Sequence, residues 1–294
     1  MKLFSVIIAT LNRTDFLLAT LKDIVAQEYI SGFEIIIVDQ SFKEDDIIQN
    51  FCKDYPFIHY HYITHFRGLP EARNYGAKHA KNPYLLFVDD DIQCESNLLK
   101  EHGKTLSKAH VAVVAGGVTE KYNTNNNESI GKFNKITATP FRGFHQKAYQ
   151  EVDHVAGGNF SVKKEIFMKV GGFDENLSKG AALYEETDFC LRVKSAGFRI
   201  FFNGDAHIVH LAADTGGCRV PEIEKYIFSL ARNRSIIIQR YLPWYFQVSA
   251  HLYLLKLVIS YTIVYKSIAI LGNYKAGKKE GEYIGKLKIK NEQL

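Results

Sequence analysis

The chain has 294 residues, of which 46% are hydrophobic and 23% charged, and these proportions indicate a folded globular protein rather than a disordered or fibrous one. Its formal net charge of +5 suits an anionic small substrate or an anionic membrane surface. Without a clustered basic patch, that charge does not indicate nucleic-acid binding. The four cysteines lie far apart, without the spacing of a metal site, which favours free thiols in a reducing compartment. They are Cys52, Cys94, Cys190 and Cys218.

The N-terminal segment, MKLFSVIIATLNR, carries a short apolar run that ends at Asn12 and Arg13. No small-residue cleavage site follows, so we interpret the run as a buried strand and not as a signal sequence. The expected location is the cytoplasm, with a peripheral position at the inner face of the cell membrane as the alternative.

Short apolar runs alternate with amphipathic stretches over the first ninety residues. The runs are apolar enough to be covered on both faces of a parallel sheet. The predicted strands are Phe4–Ala9, Glu34–Val38, Ile58–Ile63 and Tyr84–Val88. The predicted helices are Thr14–Gln27, Glu44–Tyr55 and Pro70–Lys81. This order indicates an α/β fold with a doubly wound sheet, in which ligands bind at the carboxyl ends of the strands.

Polar side chains follow three of these strands directly. The first strand leads into Thr10, Asn12 and Arg13, the second into Asp39, and the fourth into the triplet 89–91. Because the carboxyl ends of parallel strands meet at one edge of a sheet, these side chains predict a binding site.

The triplet Asp89, Asp90 and Asp91 places three carboxylates side by side. Their mutual repulsion is relieved when a cation binds between them, and Mg²⁺ and Mn²⁺ prefer oxygen ligands. The alternative is a solvated acidic turn. Asp39 can accept a hydrogen bond from a nucleotide base or cap the next helix. Arg73 and Asn74 can approach a diphosphate, or Arg73 can form a surface salt bridge.

A second group of chemically active side chains lies beyond a further predicted strand, Val111–Val118, and a polar loop, Glu120–Ser129. The string Glu-Glu-Thr-Asp at 185–188 begins a predicted helix, where acids are favoured by the helix dipole. One of these carboxylates can instead serve as a general base. His207 and His210 are either structural residues or added ligands of a carboxylate-bound metal.

The C-terminal part has a different character. The segment Tyr245–Leu271 is strongly apolar, but Lys256 and Lys266 interrupt it, so no uncharged span reaches the roughly 18 residues of a typical membrane helix. A lysine-rich tail follows. An apolar helix with such a tail either rests on an anionic membrane surface or packs on the catalytic domain or a second subunit.

Six segments resemble motifs of glycosyltransferase family 2, whose members have the GT-A fold, and they occur in the family's order over about residues 3–215. The segments are SVIIATLNR, EIIIVDQS, GLPEARNYGAKHA, YLLFVDDDI, GGNFSVKKEIFMKVGGFDENL and YEETDFCLRVKSAGFRI. The resemblance implies a GT-A catalytic domain in residues 1–220, with a doubly wound, Rossmann-like mixed sheet. A helical apolar extension, either membrane-associated or oligomerising, then occupies residues 221–294.

The resemblance also implies roles for individual residues. The nucleotide-sugar-binding residues are Thr10, Asn12, Arg13, Asp39, Arg73, Asn74, Asp89 and Asp90. The acceptor-side residues are Gly157, Gly158 and Asn159. The metal ligands, for Mn²⁺ or Mg²⁺, are Asp91 and Asp89, with His210 as an added ligand. The catalytic base is Glu186, with Glu185 and Asp188 as alternatives, because family members usually carry the shorter Asp at this position.

The implied reaction is inverting transfer of a sugar from a UDP- or dTDP-linked donor to a hydroxyl of a saccharide or lipid-linked saccharide. Surface polysaccharide or lipopolysaccharide biosynthesis is the implied setting, and a homo-oligomer is compatible with it. Many family members have a smaller, more polar run where Gln-Ser-Phe follows Asp39, which leaves the donor open. One alternative is a catalytically silent nucleotide-sugar-binding subunit. Another is a sugar-phosphate nucleotidyltransferase, although the loop after the first strand lacks the glycines typical of that class.

Overall fold

A nine-stranded mixed sheet forms the centre of the computed structural model, which describes residues 3–121, 129–213 and 220–287. Its strands are β1 (Phe4–Thr10), β2 (Phe33–Asp39), β3 (Ile58–Tyr62), β4 (Tyr84–Val88), β5 (Ile92–Cys94), β6 (Val111–Glu120), β9 (Tyr149–Val152), β10 (Asn159–Lys163) and β11 (Arg199–His210). A separate two-stranded ladder joins β7 (Phe133–Asn134) to β8 (Thr139–Pro140).

Helices cover the sheet and continue beyond it. They are α1 (Thr14–Val25), α2 (Asp46–Lys53), α3 (Leu69–His79), α4 (Leu98–Leu106), α5 (Lys164–Lys169), α6 (Glu185–Ser195), α7 (Ile223–Tyr241), α8 (Trp244–Tyr265) and α9 (Ala269–Lys286), with a short 3₁₀ helix at Glu175–Ser178. The predicted strands and helices of the first ninety residues are all present. Their ends differ by one or two residues; for example, α2 begins at Asp46 because the Asp45 side chain caps the amides of Ile47 and Ile48.

The order of the strands explains why the sheet is mixed. Strands β3, β2, β1 and β4 are parallel neighbours, as predicted. The runs in β1, β2 and β4 are nearly continuous and apolar, whereas β3 alternates histidines with Ile58 and tyrosines. Strand β10 then lies antiparallel between β4 and β6, and β11 pairs parallel with β6 and antiparallel with β5. This arrangement brings the carboxyl ends of β1, β2 and β4 to one edge. The predicted α/β class with a doubly wound mixed sheet is confirmed.

A cluster of phenylalanines on one face of the sheet holds the helices that carry the site. Phe87 of β4 stacks on Phe160 of β10 with ring centroids 4.9 Å apart, and Phe173 meets both rings edge-on. Phe189 of α6 packs on Phe173 at 5.2 Å. Because close-packed interiors resist displacement, this cluster fixes the start of α6 relative to the end of β4.

The three C-terminal helices pack on the body and on one another. Asn233 of α7 donates hydrogen bonds to the carbonyls of Leu177 and Leu183. Helices α7 and α9 approach closely along a line of glycines on α9, where a Cβ added to Gly281 would lie 2.1 Å from the carbonyl oxygen of Arg232. Helix α8 is long and apolar enough to cross a membrane by length and composition, and most of it is not buried.

Some predicted features lie outside the described residues. Strand β6 extends through Glu120, and most of the predicted loop that follows, residues 122–128, is not described. Cys218 and the last lysines of the tail, Lys288 and Lys290, also lie outside the described ranges.

Candidate active site

Two adjoining cavities open where the strand ends meet. The smaller cavity, about 340 Å³, is lined by residues that include Thr10, Arg13 and the aspartate triplet 89–91. The larger cavity, about 850 Å³, is lined by residues that include Glu186 and Tyr184. Asp89 and His210 line both cavities. A ligand spanning the two cavities would therefore pass these two side chains.

Asp90 secures the loop after β1. Its carboxylate accepts hydrogen bonds from Thr10 Oγ1 at 2.7 Å and from Arg13 Nη1 at 2.8 Å. Burial raises the pKa of Asp90 to about 6, although the Arg13 guanidinium and the Thr10 hydroxyl oppose that rise. Asp90 thus holds Thr10 and Arg13 at the wall of the smaller cavity, and its own oxygens are occupied.

Asp89, Asp91 and His210 form the group best suited to a cation. One ligand atom from each lies within 4.8 Å of the others. The pairing of β11 with β5 sets His210 opposite Ile92, next to Asp91. Asp91 Oδ2 accepts the amide of Ala213 at 2.9 Å. Asp91 Oδ1 is buried without a hydrogen bond of normal geometry, although His210 Nε2 lies 3.1 Å away.

The charges around His210 match those of a metal site. Burial lowers the pKa of His210, but the carboxylates of Asp91 and Glu120 beside the ring outweigh burial and raise it to about 10. Glu120 Oε2 lies 2.7 Å from His210 Nδ1 and so orients the ring. A carboxylate that holds the far ring nitrogen in this way is common around metal-binding histidines. The buried Asp91 oxygen and the carboxylate–imidazole set fit a divalent cation, which would displace the His210 proton.

Arg73 connects this group to the acids of α6. Its Nη2 lies 3.0 Å from Asp89 Oδ1, and it donates a hydrogen bond to the carbonyl of Gly157 at 2.9 Å. Its Nη1 donates to Glu186 Oε1 at 3.2 Å. The guanidinium is only 3% exposed, so these contacts occupy it within the protein. Arg73 therefore fixes the position of Glu186 relative to Asp89.

The first turn of α6 sets the two glutamates apart. Both glutamates line the larger cavity, but a fifth of the Glu186 side chain is exposed, whereas Glu185 is 3% exposed. Burial and the neighbouring Glu186 carboxylate raise the pKa of Glu185 well above its usual range. Tyr184, directly before them, adopts a left-handed backbone with φ +71°, a strained conformation for an aromatic residue.

Gly157 and Gly158 let the backbone approach the acids from the opposite wall. A Cβ on Gly157 would lie 1.7 Å from Glu186 Oε1, and a Cβ on Gly158 would lie 2.5 Å from Asp89 Oδ2. Both glycines line the larger cavity. Their place on the acceptor side stays a prediction, and the close approach explains why side chains do not fit there.

Two predicted site residues are corrected by the structure, because internal bonds hold them away from the cavities. The Asp188 carboxylate is buried among Arg192, Arg240 and Tyr241, so it cannot reach a substrate as the alternative base. Asn74 bonds through both side-chain polar atoms to the backbone of Phe173, which ties α3 to that loop instead of to a nucleotide.

Asn159 is also fully enclosed, and it supports the glycine loop from behind. Its amide nitrogen donates to the carbonyls of Gly117 and Ala206, and its oxygen lies 2.9 Å from His102 Nε2. Its predicted direct role on the acceptor side is therefore corrected to a supporting one.

Two of the predicted nucleotide residues, Asn12 and Asp39, do not line the smaller cavity. Asn12, with φ +55°, accepts the amide of Phe42 and so ties the two loops together. Asp39 is buried and accepts hydrogen bonds from Tyr60 and from the amide of Ser41. Gln40, not Asp39, lines the cavity surface. Recognition of a base by Asp39 stays a prediction.

The sequence reasoning missed several residues that line the cavities. These are Gln40 and Arg67 in the smaller cavity, and Arg142, Tyr184 and Tyr226 in the larger one. Arg67 precedes Gly68 at the start of α3, a loop-to-helix junction that could have drawn attention to it. The larger-cavity residues come from distant parts of the chain without a shared local pattern.

Comparison with known proteins identifies the family. The profile of glycosyl transferase family 2 matches residues 5–171, more than half of the chain. The chain belongs to this family. The expectations of a glycosyltransferase and of the GT-A fold are confirmed.

Two curated relatives illustrate the similarity. The glucosyl-dolichyl phosphate glucuronosyltransferase of Haloferax volcanii is 26% identical over 214 residues, covering 70% of this chain and 68% of the relative. The GalNAc(5)-diNAcBac-PP-undecaprenol beta-1,3-glucosyltransferase of Campylobacter jejuni is 26% identical over 206 residues, covering 67% of this chain and 64% of the relative. This chain thus matches about two thirds of the length of each.

Solved structures share the fold at lower identity. Staphylococcus aureus TarS 1–349 in complex with UDP-GlcNAc has a TM-score of 0.64 at 16% identity, covering 94% of this chain and 79% of the other. The mannosyltransferase PcManGT from Pyrobaculum calidifontis, in complex with GDP-Man and Mn²⁺, has a TM-score of 0.59 at 16% identity. The match covers 96% of this chain and 85% of the mannosyltransferase chain. At these coverages, the matched part of this chain includes most of the C-terminal helices.

Proposed function

We propose that this glycosyltransferase moves a sugar from a nucleoside-diphosphate sugar to a hydroxyl of a lipid-linked saccharide, with inversion at the anomeric carbon. The observation that carries the proposal is the bridge made by Arg73, which contacts Asp89 at the candidate cation group and Glu186 in the larger cavity. Donor and acceptor then occupy adjoining cavities that meet at Asp89.

Glu186 is the proposed general base. It lines the larger cavity, and its hydrogen bond to Arg73 holds the carboxylate at the cavity wall, where an acceptor hydroxyl can approach it. Glu185 is a poorer candidate because its side chain is only 3% exposed and lies 3.7 Å from Arg73, which leaves little access for an acceptor hydroxyl. Removal of the acceptor proton as the hydroxyl attacks typically contributes ~10²–10⁴-fold in rate.

Asp89, Asp91 and His210 are the proposed ligands of Mn²⁺ or Mg²⁺. When bound there, the cation neutralises the charge that develops on the departing nucleoside diphosphate. Arg13, held by Asp90 at the wall of the smaller cavity, adds a fixed positive charge on the same side. The Mn²⁺ in the PcManGT complex supports this assignment.

The donor and acceptor classes rest on different kinds of support. A UDP- or dTDP-linked donor follows from the predicted role of Asp39, and the UDP-GlcNAc in the TarS complex supports a uridine nucleotide. The names of the two relatives refer to dolichyl phosphate and undecaprenol, which supports a lipid-linked acceptor. The larger cavity, with Tyr184 and Tyr226 in its wall, has room for more than one sugar ring.

The test compares two isosteric substitutions on neighbouring residues. We expect Glu186→Gln to bind a UDP-sugar with Mn²⁺ normally, seen as an unchanged thermal shift, but to lose about 100-fold or more of its turnover. Glu185→Gln changes a buried side chain and leaves Glu186 in the cavity, so its turnover should change little. The reverse pattern would assign the base to Glu185. A parent protein that binds the UDP-sugar but releases no UDP would be a silent binding subunit.

A further inference from the structure

Helix α8 presents a continuous apolar face to solvent. Its inner face, which includes Leu254 and Val258, packs into an apolar cluster with α7 and α9. The opposite face carries Val248, Leu252, Ile259 and Ile263, which are between 45% and 70% exposed. Their spacing of four and seven residues places them in one line along the helix. We call these four residues the outer face of α8.

Aromatic residues and lysines lie around this face. Trp244 and Tyr245 are exposed at the start of α8, and Tyr265 is exposed at its end. Lys256 and Lys266 are exposed on the same helix. Amphipathic aromatic rings favour the level of lipid headgroups, and lysine stems can follow an apolar surface while the ammonium reaches a phosphate. This combination is typical of a helix that lies in a membrane interface.

The charge of the C-terminal helices identifies the kind of membrane. Residues 243–287 contain six lysines and two glutamates. Both glutamates have cationic partners within the protein: Glu280 pairs with Arg232 at 2.7 Å, and Glu282 pairs with Lys278 at 3.0 Å. The resulting positive surface is complementary to anionic lipid headgroups. Two copies of the chain meeting through this face would oppose lysines of like sign, which disfavours a homodimer here.

Contacts of α8 favour an in-plane position over a membrane-spanning one. At 22 residues the helix is long enough to span. However, Ser249 Oγ donates to the carbonyl of Ile136 at 2.8 Å, and His251 Nε2 lies 3.4 Å from Glu282. A spanning α8 would carry these partners and the packed surface of α7 into hydrocarbon, where unsatisfied polar groups are costly.

The outer face of α8 lies one helix away from the larger cavity. Tyr226 and Leu230 of α7 line that cavity, and Leu230 belongs to the same apolar cluster as Leu254 and Val258 of α8. A surface docked on α8 would thus lie next to the cavity that we assign to the acceptor.

We propose that the outer face of α8 docks in the plane of an anionic lipid bilayer and so holds the larger cavity beside the membrane. Delivery of a lipid-linked acceptor from that bilayer rests on the proposed function. The docking itself does not, because it depends only on the apolar face, its aromatic flanks and the surrounding lysines.

The experiment measures binding of the full chain to vesicles by flotation. Vesicles of phosphatidylcholine alone are compared with vesicles that also contain phosphatidylglycerol. We expect the parent to bind the mixed vesicles more tightly. Leu252→Ser combined with Ile263→Ser should lower the partition coefficient roughly tenfold or more, because both side chains leave water on docking. The matched control, Ile30→Ser with Ile47→Ser, removes two exposed isoleucines outside the C-terminal helices and should bind like the parent.

Four results would overturn the inference. The first is a parent protein that binds neither kind of vesicle, and the second is equal binding by the Leu252/Ile263 variant and the control. The third is a dimer in analytical ultracentrifugation that the Leu252/Ile263 variant dissociates, which would assign the face to a second copy. Release of the bound parent by alkaline carbonate supports the in-plane position, and retention would indicate a spanning helix and overturn it.

Enzyme activity separates this inference from the proposed function. Glu186→Gln should float with the mixed vesicles like the parent. The Leu252/Ile263 variant should hydrolyse a UDP-sugar in vesicle-free solution at the parental rate. If the Leu252/Ile263 variant and the isoleucine control lost vesicle binding to the same extent while both kept hydrolysis, the docking surface alone would be overturned. Hydrolysis absent from the parent, with vesicle binding intact, would overturn the proposed function alone.

Discussion

Gly157→Ala should impair catalysis by displacing the Glu186 carboxylate, although Gly157 has no side chain of its own to react. The added Cβ would lie 1.7 Å from Glu186 Oε1, whereas contacts closer than 3.4 Å are already tighter than most. The carboxylate must therefore withdraw by about 1.7 Å, the difference between these distances. A displacement of about 1 Å in a catalytic group can cost roughly 10²-fold in rate. We expect kcat to fall about 100-fold, with donor affinity unchanged because Gly157 contacts Glu186 and not the candidate metal ligands.

The assay is steady-state release of nucleoside diphosphate in the presence of acceptor, with thermal unfolding measured in parallel. Gly272→Ala is the matched control, since no atom lies within 4 Å of its added Cβ. Combining Gly157→Ala with Glu186→Asp should recover part of the activity, because the shorter side chain leaves room for the methyl group. If Gly157→Ala kept the parental kcat, then the position of Glu186 in the structure would not be the one that matters in the reaction.

Three further predictions concern the metal, the buried histidine and the packed helices. Asp91→Asn should abolish the Mn²⁺-dependent part of UDP-sugar binding measured by calorimetry; binding that still depends on Mn²⁺ would exclude Asp91 as a ligand. Burial lowers the pKa of His102 to about 4, so the unfolded chain binds a proton at this residue more readily than the folded protein does. The free energy of unfolding should therefore fall by about 3 kcal/mol as pH falls from about 6.5 to about 4. His102→Asn should lack this part of the pH dependence in urea unfolding. Gly281→Ala should lower the free energy of unfolding by about 1–3 kcal/mol by forcing α9 from α7, and an unchanged urea midpoint would contradict the packing.

The sequence was most informative where a local pattern determines the environment. Arg13 follows β1 and Asp91 follows β4, and both strands are nearly continuous apolar runs. Such runs are buried on both faces in a parallel sheet. Residues directly beyond them must then lie at the carboxyl edge. That reasoning needs no knowledge of distant contacts, which is why this edge of the site could be predicted from composition and order alone.

Local pattern was less informative within the helices. Glu185 and Asp188 are three residues apart and so share a helix face, whereas Glu186 lies about 100° away from Glu185. The structure buries the shared face and turns Glu186 to the larger cavity. The sequence indicates that these acids lie on one helix turn, but not which face of the helix is buried. Two partners of Asp188, Arg240 and Tyr241, lie more than 50 residues away along the chain.

The C-terminal helices show what the sequence indicates and what it cannot indicate before the fold is known. Lys256 and Lys266 predict that the apolar segment lacks an uncharged span of membrane-helix length. The structure exposes both lysines, yet α8 is long and apolar enough to cross a membrane by length and composition. The glycines at 277, 281 and 285, spaced by four, were present in the sequence as a close-packing pattern and were not used. Their partner surface on α7 could not be inferred, since no pattern links α7 to α9 before the fold is known.

Helix α7 explains how a surface outside the sheet can bear on catalysis. Its Arg240 contacts Asp188 of α6 at 3.0 Å, its Tyr226 lines the larger cavity, and its Leu230 packs with Leu254 of α8. One rigid helix thus connects the turn that carries Glu186, the cavity beside it and the helix that we expect to meet the bilayer. Because α7 contacts all three within the described residues, we expect the base proposed at Glu186 to keep a constant distance from the proposed docking plane. An acceptor anchored in that bilayer would then have to present its reacting hydroxyl at the same distance, and we predict selection of acceptors by the length between lipid and sugar.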